Sequence, residues 1–393
     1  MILFSTIIIV LRTISYRLYP SSAQASRLSH YLYVGRKLYN DGLVQRIAYY
    51  QDTGKGLSYF TQTKDLTILR SVSLVLADVP LAIERDALDR LDKAFANFFR
   101  RVKEGKEKPG FPRFKSFRRW HSFGLFIQGS GKTIIKGNRI HVSGVNGGIP
   151  FRGGQSVITG KIKVQRILIR AGKWFCQLVV DDLQTPPPLI PIQSAIGIDL
   201  GLTSFATFSS GEKIDNPRFY RALEKKLARA DRAVSRKVKG SANRRKAINR
   251  LQRVHEKIRN HRLNFTHHLS KRIVQEHQLI AVEKLNINGM MQSRFGKSIL
   301  DAAWGQFLFQ LSYKAESAGC SLCAVNPRGT SQECSKCGEV ILKNLTQRVH
   351  SCYHCGLILD RDENAALNIL QRALKEPGPV GAVASCGAVT EPC

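Results

Sequence analysis

The chain has 393 residues, 43% of them hydrophobic, which suffices for two or three domains with real cores and excludes a tail or a linker. It carries 61 Lys and Arg against 29 Asp and Glu, a formal net charge of +32, so its normal partner is a polyanion, with nucleic acid ahead of an anionic membrane surface. Nine cysteines, an odd number with paired spacing, exclude a secreted disulfide framework and point to metal in a reducing, cytosolic compartment.

The first eleven residues are apolar before Arg12, too short a run to span a bilayer, and they lack the basic start and cleavage site of a signal peptide. A strand is expected there, and no membrane partner. RTISYRLY at 12–19 alternates like a strand and ends at Pro20. Residues 22–106 read as helical. In ALDRLDKAFANFF, Leu88, Leu91, Phe95, Phe98 and Phe99 share one helical face and are expected in the core. Tyr59, Thr61 and Gln62 are candidates for contact with bases.

The character changes over 107–185. KPGFPRFKSFRRW is basic and aromatic, and Lys115, Arg118 and Arg119 are candidates for phosphate contact. The runs SFGLFIQ, KTIIKGNRIHV, KIKVQRILIR and KWFCQLVV then predict a small antiparallel barrel or sandwich. If strand 12–19 joins that sheet, the helices are an insertion in it. TPPPLIP at 185–191 is a stiff linker and the best domain boundary.

AIGIDLGLTSFATFSSGEK at 195–213 reads as two strands with tight turns. From Arg218 to Arg272 there are 19 Lys and Arg and three acids, with Ile248, Leu251, Ile258, Phe265 and Leu269 as an apolar stripe. This predicts a helical hairpin broken at Gly240-Ser241, with one buried face. The charge is too one-sided for salt-bridge lacing, so Arg244, Arg245, Lys246, Arg250 and Arg253 are assigned to phosphates. QLIAVEKLNI at 278–287 predicts a buried strand, 299–318 a helix with Trp304, Phe307, Phe309 and Leu311, and CSLCAV at 320–325 a strand with core cysteines. A helix is expected over 362–372 and a disordered tail from Leu374.

Two constellations carry chemistry. Cys334 and Cys337, then Cys352 and Cys355 after fourteen intervening residues, form two CxxC knuckles, each followed by a glycine, Gly338 and Gly356. Four thiolates in this spacing suit one tetrahedral Zn²⁺, structural because no position is left for substrate. The acids are the second. Asp199 ends an apolar strand in IGIDLG, Glu283 ends another in LIAVEKL, and Asp360 and Asp362 open a helix, where Asp360 also suits an N-cap. Carboxylates from two strands and a helix start can converge at one sheet edge, hold two Mg²⁺ and support in-line attack of water on a phosphodiester. IGIDLG also matches the first phosphate turn of actin-like ATPases, but the glycine pairs, at 147–148 and 153–154, lie upstream of it instead of downstream.

Seven motifs in order, YRLYP (16–20), FPRFKS (111–116), IGIDLG (196–201), AVEKLNI (281–287), TSQECSKCG (330–338), CYHCG (352–356) and DRDENAALNIL (360–370), make the chain resemble the TnpB family of transposon-encoded proteins, relatives of type V CRISPR effectors. The resemblance implies an RNA-guided, Mg-dependent DNA endonuclease on an α+β multidomain fold. A wedge-type β-barrel would occupy 1–20 and 107–185, and a helical recognition insert 21–106. A RuvC-like, RNase H-type domain would occupy 192–325 and 357–372, a zinc ribbon 326–356, and the tail 373–393. It selects Asp199, Glu283 and Asp362 as catalytic acids and leaves Asp360 as a cap. The implied partners are a guide RNA from the transposon end and target double-stranded DNA next to a short motif, on the bacterial nucleoid. DDE-type transposases place Glu last, whereas the order here is Asp, Glu, Asp.

Overall fold

The alternation of RTISYRLY becomes the middle of a sheet. The computed structural model describes residues 10–127, 134–153, 158, 160–182, 187–344 and 346–375. Residues 1–9, the start of the linker at 183–186 and the tail from 376 lie outside the described residues. The chain divides into two compact units, Met1–Gln184 and Thr185–Pro392.

In the first unit, β1 (Val10–Leu18) leads into α1 (Ser22–Thr53), α2 (Tyr59–Val72), α3 (Leu74–Ala77) and α4 (Leu81–Lys103). Six strands follow: β2 (Ser122–Phe126), β3 (Ile135–Lys136), β4 (Arg139–Ile140), β5 (Ile149–Arg152), β6 (Lys161–Arg170) and β7 (Lys173–Asp182). All pairings are antiparallel, in the order β2-β6-β7-β1-β5-β4-β3, so β1 does join the later strands and the helices are inserted between them. The sheet is a curled half-barrel: among the described residues its edges, β2 and β3, do not pair with each other. Ala171 and Gly172 both adopt positive φ, 47° and 74°, which suits the tight two-residue turn between β6 and β7.

α1 begins with a capping box between Ser21 and Gln24 and ends at Gly54, whose φ of 66° stops the helix. Its Leu28, Tyr31, Tyr39 and Leu43 pack with Leu88 and Leu91 of α4 and with Phe123 of β2 in one core. The expected core face of α4 holds only in part. Phe95 lies at the edge of that core, Phe98 is half-buried and Phe99 is exposed, because α4 runs past the core and these rings gather around Phe111 instead.

In the second unit, β8 (Ala195–Leu200), β9 (Ser204–Phe208) and β10 (Lys213–Asp215) precede the basic hairpin α5 (Phe219–Ser235) and α6 (Ala242–Glu276). Then come β11 (Leu279–Glu283), α7 (Ile287–Met290), α8 (Gly296–Ala302), α9 (Trp304–Ala318), β12 (Ser321–Val325), β13 (Val349–Ser351), β14 (Ile358–Asp360) and α10 (Arg361–Lys375). The main sheet has the order β10-β9-β8-β11-β12, with β8, β9 and β10 antiparallel and β8, β11 and β12 parallel. β13 and β14 form a separate antiparallel ribbon. The single helix expected over 299–318 is broken at Ala303 (φ 57°), and Phe309 points out while Trp304, Phe307 and Leu311 are buried. Cys176, Cys320 and Cys323 are core residues, as expected.

The two faces of the main sheet take different partners. Ile196 and Ile198 of β8 and Ile280 and Val282 of β11 pack with Leu269, Ile273, Phe307 and Leu311 of α6 and α9. Leu279 and Ala281 on the opposite face meet Ile369 and Ala373 of α10. The closest point is at Gly197: a Cβ there would lie 2.1 Å from the Ala366 carbonyl oxygen and 2.9 Å from Leu370 Cβ. α10 therefore rests on the strand through a missing side chain, and its own Ala365 and Ala366 keep the approach short. Gly197→Ala should lower stability by about 3 kcal/mol, at the upper end for overpacking. The check is a urea melt, in which an unchanged midpoint would mean that α10 is not seated on β8.

Candidate active site

Alternation along the strands decides which side chains meet α10. Gly197, Leu279 and Ala281 face it, so period two carries Asp199 and Glu283 onto the same face. The register pairs Ile198 with Val282, and Asp199 and Glu283 come next, at the carboxyl ends of two adjacent parallel strands. That is where open α/β sheets bind their ligands. Asp362 stands in the first turn of α10, above the same edge.

The electrostatics show that these acids share one field. Burial, then Glu283 and Asp362, push the Asp199 carboxyl up to about 8, against the nearby Arg361. Burial also raises Glu283, opposed by a 2.6 Å hydrogen bond from the Thr330 hydroxyl and by Arg372. Asp362 pairs with Arg361 at 3.1 Å, and Arg348 lies 3.6 Å from its other oxygen. Arg348 also donates to the Thr203 hydroxyl at 3.2 Å. Asp360 is committed elsewhere. Its Oδ1 accepts the N–H groups of Asp362 and Glu363 at 3.0 and 3.3 Å, the expected N-cap. Its Oδ2 meets Lys213 Nζ at 2.6 Å. Burial works against ionisation of Asp360, yet Lys213 and those two N–H groups hold its carboxyl below the usual range. Asp199, Glu283 and Asp362 thus bring three carboxylates into one electrostatic field at a sheet edge, oxygen donors of the kind that could hold a hard divalent ion such as Mg²⁺.

The thiols gather more tightly. Cys334 and Cys355 Sγ are 3.6 Å apart, as are those of Cys337 and Cys352, and all four atoms lie within 4.8 Å of one another. A tetrahedron with Zn–S of about 2.3 Å has an edge of about 3.8 Å, so the set fits one zinc ion. Among the described residues it is the only such group close enough for a single ion as the side chains stand. Gly338 and Gly356 adopt φ of 80° and 71° and donate to the carbonyls of Cys334 and Cys352, which closes each knuckle.

One face of α10 ties the two sites together. Asn364 accepts from the Ser335 N–H at 3.0 Å and donates to the Glu333 carbonyl at 2.7 Å. Asn368 donates to the carbonyls of Thr330 and Glu333. Gln371 donates to the Ser335 carbonyl, and Arg372 pairs with Glu333 at 2.7 Å. Thr330, Asn364, Asn368, Arg348 and Arg361 were not singled out from the sequence. Two asparagines four residues apart beside the apolar face of a helix were the available signal, since amides so placed must find partners.

The basic candidates divide. Arg245, Lys246, Arg250 and Arg253 are exposed. Lys246, Arg250 and Arg253 line a cavity of about 700 Å³ between α5 and α6, with Lys226 and Lys257 around Leu223, Ala230 and Val254. Arg244 instead donates to the carbonyls of Val234 and Lys237 at 3.1 and 2.9 Å and fastens the hairpin turn. Arg118 and Arg119 are exposed, whereas Lys115 lies over the Tyr39 ring at 5.5 Å. Gln62 is buried, donating to the Gly42 carbonyl at 3.0 Å and accepting from Arg46 at 2.7 Å, so its amide is consumed inside the fold and cannot read a base. Tyr59 packs against the core, and Thr61 is exposed beside Ser58.

Family models cover much of the chain. One described as "Probable transposase" matches residues 177–294, and one described as "Cas12f1-like, TNB domain" matches 304–369. A "Helix-turn-helix domain" model matches 10–55, where the structure has β1 and the unbroken helix α1. A protein of Streptomyces pristinaespiralis named "Putative RNA-guided DNA endonuclease" is 34% identical over 96% of this chain and 91% of its own length. One of Escherichia coli (strain K12), named "Putative RNA-guided DNA endonuclease InsQ", is 28% identical over 92% of each. Among solved structures, the mini-RNA-guided endonuclease CRISPR-Cas_phi3 is similar with a TM-score of 0.50 and 10% identity, covering 96% of this chain and 94% of that one. At that identity the likeness concerns the fold alone. No helix among the described residues is long and apolar enough to cross a membrane.

The raised Asp199 carboxyl has a consequence for stability. It keeps its proton in the fold up to about pH 8, while the unfolded chain releases it near pH 4. Folding then takes up a proton between those values, so stability without Mg²⁺ should fall as pH rises across them, by at most about 1.4 kcal/mol per pH unit. Urea melts of the zinc-loaded, magnesium-free protein at pH 6 and 8 should show the loss, and Asp199→Asn should flatten it.

Proposed function

The chain belongs to the TnpB family of RNA-guided DNA endonucleases, and from that premise we propose that it cleaves target DNA by two-metal phosphodiester hydrolysis at Asp199, Glu283 and Asp362. The observation that carries this reading is that Glu283 and Asp362 both raise the Asp199 carboxyl, at the ends of neighbouring parallel strands, in a chain of net charge +32. Mg²⁺ held by these three carboxylates would supply an activated water and stabilise the leaving oxygen. The protein's own part is positioning. Thr330 orients Glu283, Arg361 and Arg348 hold Asp362, and Asp360 caps α10 so that Asp362 stays over the strand ends. To serve as a ligand Asp199 would have to release its proton, which a divalent cation held there would favour.

Zinc at Cys334, Cys337, Cys352 and Cys355 is structural in this reading: it fixes the knuckles, and α10 fixes the first knuckle through Asn364. The main sheet, three antiparallel strands followed by two parallel ones, supports a RuvC-like, RNase H-type domain. In the first unit, the half-barrel would serve as wedge and the inserted helices as recognition region. Together they would hold a guide RNA from the transposon end and the DNA motif beside the target. The exposed cations of α6, Arg245, Lys246, Arg250 and Arg253, would contact nucleic-acid phosphates. Base pairing, not the protein, would supply most sequence specificity.

Two experiments test this. With the copurified RNA, a target plasmid and Mg²⁺, Asp199→Ala, Glu283→Ala and Asp362→Ala should each lose cleavage by about a thousandfold or more while binding persists. Asp360→Asn, which keeps a capping oxygen, should cleave within about tenfold of wild type. Equal loss in Asp360→Asn and Asp362→Ala would reassign the third acid. Asn364→Ala should release zinc to a chromogenic chelator about tenfold more readily, and unaltered release would detach the helix from the metal site.

A further inference from the structure

The segment KPGFPRFKSFRRW is pinned along its backbone yet leaves Phe114 and Phe117 largely in solvent. Arg101 donates to the carbonyls of Pro109 and Gly110. Asn40 grips Lys115 from both sides, accepting from its N–H at 2.8 Å and donating to its carbonyl at 3.1 Å. Phe111 packs edge-on against Phe95 and Phe98, at 5.5 and 5.3 Å, and Trp120 is buried against Tyr39. Between these anchors Phe114 is 54% and Phe117 73% exposed, and among the described residues neither meets another ring. From Lys108 to Arg119 there are five cations and no acid.

From this we propose that Phe114 and Phe117 are a preformed stacking platform for unpaired bases of the guide RNA, with the interleaved cations on its phosphates. The proposal deepens the RNA-guided reading given above and rests on it. Charge complementarity selects a polyanion. Exposed rings select one whose base faces are free, since a duplex hides those faces within its stack and offers only edges. A rigid, uncovered aromatic pair is a standing aggregation liability. Its cover must therefore be present for most of the protein's life, which favours the resident guide over a DNA strand displaced only when a target opens. Pinning also means that little conformational entropy is lost when a base docks.

The test uses the full chain stripped of RNA, a labelled single-stranded RNA of mixed sequence, the DNA oligonucleotide of the same sequence, and fluorescence anisotropy at two salt concentrations. Phe114→Ala with Phe117→Ala should weaken RNA binding about 5–100-fold without changing the salt dependence, which belongs to the cations. Tyr at both positions should restore affinity to within about threefold, and Leu should not. Restoration by Leu would show an apolar contact without stacking and overturn the proposal. So would unchanged RNA affinity, weakening confined to the DNA oligonucleotide, or wild-type self-association in the ultracentrifuge that the Ala pair abolishes. The readout requires no cleavage. A negative result would leave the nuclease reading standing.

Discussion

The seating of α10 on β8 is the contact on which the rest of the second unit depends. Gly197 leaves the space into which the Ala366 carbonyl settles, and the small residues Ala365 and Ala366 keep helix and strand close. That approach sets the height of the first turn of α10, and with it Asp362, over the ends of β8 and β11. A methyl group between them would lift the helix, and a carboxylate carried on it moves with it. The Asp360 cap works in the same direction, since it fixes where the helix begins.

Asp199 and Glu283 at that edge hold their protons more tightly than they would in water, chiefly through burial. Asp199 stays protonated near neutrality because burial and its two acidic neighbours oppose a third charge. Arginines restrain Asp362 and a hydroxyl restrains Glu283. Such a cluster repels itself, and in the proposed reading that repulsion would become a preorganised attraction for divalent cations. The chain's overall excess of lysine and arginine answers a different demand, the phosphates of long polyanions.

The thiol knuckles and the acidic edge are linked through a few hydrogen bonds. Asn368 holds the Thr330 carbonyl, Thr330 holds Glu283, and Asn364 holds the start of the first knuckle. A perturbation of the thiolate cluster therefore has a short covalent and hydrogen-bonded route to the carboxylates. The proximity of the cysteine knuckles and the acids in the sequence has a physical basis: the helix that carries Asp362 is also the clasp for the first knuckle.

The sequence by itself determined the elements whose signals are local. The CxxC pairs with their glycines specify a tetrahedral thiol cluster because turn geometry and ligand spacing are both encoded within a few residues. The alternating and apolar runs located the strands, the one-sided basic stretch located the hairpin, and an acid ending an apolar run marked Asp199 and Glu283. Tertiary structure alone decided matters that depend on distant partners. Gln62 and Thr61 are neighbours in sequence, yet only Gln62 faces Gly42 and Arg46 of another helix. Phe95 and Phe99 share a helical face, yet the core ends between them. Asp360 became a cap, and Asp362 a neighbour of Asp199, because of where α10 docks. Periodicity states which residues share a face, but what that face meets is fixed by packing between segments far apart in the chain.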